Sequence, residues 1–96
     1  MNEGFATVFE YLLADTVYPD WNMKGFFNLR QMQRAYRTDA LQSTRAMTTD
    51  LNTISEISQS FDNIAYNKAG SVIRMFEYAV GETIFRDALN LYLKTK

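Results

Sequence analysis

Apolar residues in this chain recur at the spacing of a helical face and almost nowhere at the two-residue alternation of a half-buried strand. Phe5, Val8, Phe9 and Leu12 stand at i, i+3, i+4 and i+7, one side of a repeat of about 3.6 residues. Val72, Ile73, Met75, Phe76 and Ala79 repeat the pattern, as do Phe85, Ala88, Leu89 and Tyr92. One proline and four glycines punctuate 96 residues, so few positions force a break. An all-α fold of about five helices in a single domain, 1–96, is the expectation.

Breakers and caps set the boundaries. Pro19 lacks an N–H and restricts its predecessor, which stops the first helix. Asp20 can then cap a second helix from Trp21 to about Arg37. Residues 38–52 are polar and weakly periodic and read as a long connection. Thr53 and Glu56 have the spacing of a capping box, predicting a short third helix to about Phe61. Asp62 or Asn63 ends that helix, and a fourth runs from about Tyr66 to Val80, with Gly81 after its last turn. A fifth follows from Glu82. Met23, Met32, Met47 and Met75 read as gap-filling core residues, and Trp21, Phe26 and Phe27 as core.

Composition removes several classes of function. Ten basic and eleven acidic residues leave a net charge of −1, which provides no electrostatic footprint for nucleic acid or a membrane surface. Arg30, Arg34 and Arg37 form a basic stripe that reads as a solvated helix face. No cysteine is present, so neither disulfides nor thiolate metal sites can form, and redox chemistry says nothing about the compartment. No apolar run approaches the roughly 20 residues that span a bilayer, and the N-terminus lacks a signal-peptide layout. The many serines and threonines have no histidine to activate them. Phosphate-cradling glycine loops are absent.

Two stretches carry chemistry. The first is Asn2-Glu3-Gly4-Phe5-Ala6 followed by Phe9-Glu10, and the second is Phe61-Asp62-Asn63-Ile64-Ala65-Tyr66-Asn67-Lys68 followed by Gly70-Ser71-Val72-Ile73-Arg74-Met75. Taken alone, Glu3 is a favourable partner for a helix dipole. Glu10, two turns on and on the same face, is an ordinary solvated charge, and Tyr66 is a packing residue. Together the stretches resemble the aminopeptidase N family of zinc aminopeptidases (gluzincins). Asp39-Ala40-Leu41, Ile54-Ser55-Glu56-Ile57 and Gly81-Glu82 extend the resemblance over almost the whole chain. Thr44-Arg45-Ala46-Met47 resembles the Thr-Arg-Pro-Met of insect-type members, with Ala46 where they have proline. Ala69-Gly70 stands where many members have glycine and then a small residue.

The resemblance implies that this segment is the C-terminal part of the catalytic domain, the helical lower part of a thermolysin-like fold. Glu3 would be the third zinc ligand, Glu10 a partner fixing the orientation of the ligating histidines, and Tyr66 the donor that stabilises the oxyanion. The two other ligands and the base of that family lie on an H-E-x-x-H helix, and this chain contains no histidine. A catalytic zinc site needs three protein ligands, so zinc belongs to the intact family enzyme and none is expected on the isolated chain, which is expected to be inactive. Peptides are the implied substrates, and the implied location is the outer face of the plasma membrane, with anchoring segments outside these residues. A second reading stays open: a stand-alone, non-catalytic helical interaction domain, homodimeric or bound to the missing catalytic half through exposed apolar faces.

Overall fold

The computed structural model describes all 96 residues, Met1–Lys96, and consists of helices and turns without a strand. Helix α1 is Asn2–Val17. It ends as Pro19 opens a single 3-10 turn, Pro19–Trp21. Helix α2 occupies residues 23–39, made of Met23–Phe27, one π-helical stretch Asn28–Met32, and Gln33–Asp39. Helix α3 is the short Ile54–Gln59. Helix α4 occupies residues 64–80, a π-helical start Ile64–Lys68 continued by Ala69–Val80. Helix α5 is Glu82–Thr95. The all-α expectation of five helices holds.

Three boundaries differ from the sequence expectation. Asn22, not Asp20, caps α2: its backbone is left-handed (φ 49°, ψ 52°) and its side chain accepts from the Gly25 N–H at 3.3 Å. Asparagine tolerates that conformation because its short amide can bond locally. Trp21 therefore precedes the helix and stacks on Tyr18 at 4.3 Å instead of entering the core. Helix α4 begins two residues before Tyr66, because the Asp62 carboxylate accepts from the N–H groups of Ile64 and Ala65 at 2.9 and 3.0 Å. Helix α3 ends at Gln59 with Ser60 as its cap, two residues short of Phe61, so Asp62 starts α4 and does not end α3. The capping box at Thr53 forms as its spacing requires, with Glu56 N–H donating to the Thr53 hydroxyl and Thr53 N–H to the Glu56 carboxylate.

A small core sits where α1, α2 and α4 meet. Val8, Tyr11, Phe27 and Ile73 form its centre, bordered by Phe5, Leu12, Met23, Met32 and Phe85. Tyr11 and Phe27 meet edge to face at 5.4 Å and 89°, the arrangement their ring quadrupoles favour. Phe26 and Met75, expected in the core, are exposed; on their helices they fall beside Phe27 and Ile73 but on the outward side. Helix α1 lies directly on α4 at Gly4. A Cβ there would come within 2.6 Å of the Ala69 Cβ and 2.8 and 2.9 Å of the backbone of Ala69 and Gly70.

The connection 40–53 is held by Arg45 rather than by an apolar anchor. Its guanidinium donates to both Asp62 oxygens at 3.0 and 2.8 Å and to the carbonyls of Ala46 and Ser60, each at 2.9 Å. Lys68 meets Asp39 at 2.8 Å, joining the end of α2 to α4. Gly81 turns the chain between α4 and α5 with φ 90°, a conformation open to glycine and costly for other residues. Helix α5 buries no residue.

Two outcomes follow. Gly4→Ala forces atoms into backbone that cannot yield, and overpacking of this kind costs about 1–3 kcal/mol; the thermal midpoint by circular dichroism falls accordingly, while Ala6→Ser on the exposed side of the same turn leaves it unchanged. Desolvation opposes ionisation of Asp62, but Arg45 and the Ala65 and Ile64 amides outweigh it and hold its carboxyl below the ordinary value of 3.8. Hydrogen bonds from Lys68 and Thr44 do the same for Asp39. Because these folded-state values are depressed, their stabilisation is complete above the unfolded value and is lost as pH falls through the folded one. The thermal midpoint therefore begins to drop below about pH 5 and goes on dropping as pH falls through the depressed folded-state values, and Asp62→Asn shows a smaller drop.

Candidate active site

Glu3 lies in the first turn of α1, half-buried, with its carbonyl accepting from the Thr7 hydroxyl at 2.8 Å. Tyr66 lies in the π-helical opening of α4 and is also half-buried. The contact at Gly4 brings the two together, since Gly4 follows Glu3 and packs on Ala69 and Gly70, one turn beyond Tyr66. Burial raises the Tyr66 phenol above its ordinary value of 10.0, and the charge of the nearby Glu3 carboxylate adds to this. A phenol so held is fully protonated at neutral pH and serves as a hydrogen-bond donor.

Two depressions flank this pair. One, of about 440 Å³, is lined by Glu3, Arg45, Met47, Leu51, Phe61 and Ala65, so the Arg45-clamped connection forms its far wall. The other, of about 320 Å³, is lined by Glu10, Gln31, Arg34, Asn63, Tyr66 and Asn67. Glu10 is exposed along this second cleft. Glu3 and Glu10 occupy one face of α1 as their spacing requires, each opening on a different side of Tyr66.

These residues do not assemble a zinc site by themselves. The chain has no histidine and no cysteine, and no three of its acidic residues converge on a point that could hold a metal. Glu3 provides one carboxylate. Alone, the residues of this chain do not fit a catalytic zinc, whose protein ligands number three. Glu10 likewise has no imidazole within the chain to orient.

Several contributors to the site carry no chemical signal in the sequence beyond the family resemblance. Gln31 and Asn67 line the cleft beside Tyr66, and Arg45 walls the depression at Glu3. Arg45 stands in an irregular connection, where neither periodicity nor capping rules apply, and nothing in the sequence pairs it with Asp62. The two π-helical stretches have no sequence mark either.

Comparison with known proteins is decisive about kinship. The peptidase family M1 domain matches residues 1–96. The chain belongs to this family. Aminopeptidase N of Homo sapiens is 41% identical over 98 aligned residues, covering 99% of this chain and 10% of that protein. Aminopeptidase N of Plutella xylostella is 41% identical over 93 residues, covering 97% and 10%. Aminopeptidase Ey of Gallus gallus is 40% identical over 96 residues, again 97% and 10%. The chain spans about a tenth of the length of these relatives. No helix of this family member is long and apolar enough to cross a membrane.

If Glu3 and Tyr66 share a site, removing the Glu3 charge must be felt at the phenol. Glu3→Gln lowers the Tyr66 value toward that of a free tyrosine, read from the side-chain carbon resonance of selectively labelled tyrosine during an alkaline titration. Glu10→Gln leaves it in place.

Proposed function

We propose that this chain is the part of a zinc-dependent metalloaminopeptidase that contributes one metal ligand, Glu3, and the oxyanion donor, Tyr66, and that it is inactive alone. The observation that carries the reading is the juxtaposition of these two side chains from distant parts of the sequence, in a chain matched along its length by the peptidase family M1 domain. In the whole enzyme, zinc would polarise the scissile carbonyl of a peptide whose N-terminal residue is removed. Tyr66 donates its hydroxyl proton in a hydrogen bond to the carbonyl oxygen as negative charge develops there. Its neutrality at working pH is what makes it a donor. Glu10, on the same face of α1 as Glu3, orients imidazoles supplied from outside these residues. The substrates are peptides, and the setting is the outer face of the plasma membrane.

A second reading has one observation in its favour. A groove of about 650 Å³ between α1 and α5 is lined by Phe5, Phe9, Phe85, Ala88, Leu89 and Tyr92, which suits a helical interaction domain that pairs with a second copy. Sedimentation of the purified chain separates the readings: a monomer with no tendency to self-associate rules out the homodimer.

The purified chain with zinc and an aminoacyl chromogenic substrate gives no turnover, and calorimetry detects no tight stoichiometric zinc. Grafted into human aminopeptidase N in place of its aligned segment, the chain supports hydrolysis. Tyr66→Phe in that graft lowers kcat about 100–1000-fold, the usual cost of one oxyanion donor, with little change in KM. Turnover by the isolated chain, or an unaltered kcat in the Tyr66→Phe graft, overturns the proposal.

A further inference from the structure

The π-helical stretches of α2 and α4, Asn28–Met32 and Ile64–Lys68, pack against each other. A π-turn adds one residue to a helix turn and shifts the register of everything beyond it, by about 100° of rotation per residue. In α4 the stretch contains Tyr66 itself, where uninterrupted α-helix would align Ile64 with Lys68 and Tyr66 with Gly70. Register in this one turn thus decides which way Tyr66 faces.

Side chains from both stretches lock that register. The Gln31 amide donates to the Tyr11 hydroxyl at 2.6 Å, and the Gln31 carbonyl accepts from the Asn67 amide. Asn67 is 4% exposed and adjoins Tyr66. The Ser71 hydroxyl donates to the Asn67 carbonyl at 2.7 Å, satisfying a backbone group at the point where the ladder changes step. No buried side-chain polar atom in the chain lacks a partner, so losing either amide leaves its mate without the bond it makes here.

We infer that Gln31 and Asn67 are positioning residues: anchored on Tyr11, their amide pair holds the 64–68 π-turn in the register that turns Tyr66 toward Glu3. Its consequence for catalysis rests on the oxyanion role proposed for Tyr66; the positioning itself does not.

The test uses the chain itself and the human aminopeptidase N graft. Gln31→Met keeps length and removes both hydrogen bonds. Gln31→Glu keeps both, since a carboxylate accepts from Asn67 and from a Tyr11 hydroxyl turned to donate. Tyr11→Phe removes only the anchor and preserves the ring packing, so it reports even where Gln31→Met does not fold. Nuclear Overhauser effects between the Tyr66 ring and the Glu3 methylenes are expected to vanish in Gln31→Met, weaken in Tyr11→Phe and persist in Gln31→Glu, with helix content unchanged. In the graft, Gln31→Met lowers kcat by up to about 100-fold with KM held, the scale of a misplaced catalytic group, and Gln31→Glu restores it. Overhauser effects that survive in both Gln31→Met and Tyr11→Phe overturn the inference. Their disappearance with kcat unaltered supports the positioning and removes the oxyanion role instead.

Discussion

Helix α1 meets α4 backbone on backbone, where Gly4 lies on Ala69 and Gly70 with no room for a side chain. The candidate site depends on it. Glu3 precedes the contact, and Tyr66 lies one turn before it on the other helix. Two larger residues at the crossing would separate the helix axes, and helices with ordinary side chains between them pack about 8–10 Å apart. The carboxylate and the phenol would then face each other across water. Glycines are often explained by conformational freedom, but Gly4 is helical and needs none; it is small because the opposing helix occupies the place of its side chain.

How much of this the sequence disclosed follows from the physics of each element. Helices α1, α4 and α5 are legible because a 3.6-residue repeat of apolar side chains is a local signal, and α3 because a capping box is written in two residues. The start of α2 falls at Asn22 instead of Asp20 because asparagine in a left-handed turn caps as well as aspartate, and sequence alone does not reveal which residue takes that conformation. The π-turns escape because they answer to tertiary demands: Gln31 and Asn67 satisfy each other across two helices, and no rule about neighbours in sequence anticipates that. For the site, Glu3 and Tyr66 are found by resemblance. Their proximity is not, because it depends on the helix crossing.

The core has few residues to spare. Thirteen of 96 residues are buried, and the fully enclosed large side chains are Phe27, Ile64 and Val8. Large apolar side chains such as Leu91, Tyr92 and Leu93 on α5 stay exposed. Polar clamps accordingly carry structural weight where apolar contact is thin. Arg45 gathers two carbonyls and a carboxylate to fix a connection without secondary structure, and the same carboxylate starts α4. Charge-assisted bonds of this bidentate kind are stronger than neutral ones, and their energy depends on Asp62 being ionised.

That coupling gives the site its logic. Asp62 begins the turn that carries Tyr66, and its partner Arg45 walls the depression at Glu3. Gln31, from the middle of α2, holds the far side of the same turn through Asn67. Tyr66 therefore lies between an ionic clamp before it and an amide pair after it, with the Glu3 carboxylate nearby. Catalytic donors act by being already in position when charge develops, because reorganisation at that moment would consume the stabilisation they offer. Both features that keep Tyr66 a neutral donor, burial and the adjacent carboxylate, arise inside these 96 residues. The proposed site can be organised by these residues alone because its members are held by their own helices, with α1, α2 and α4 converging on one phenol.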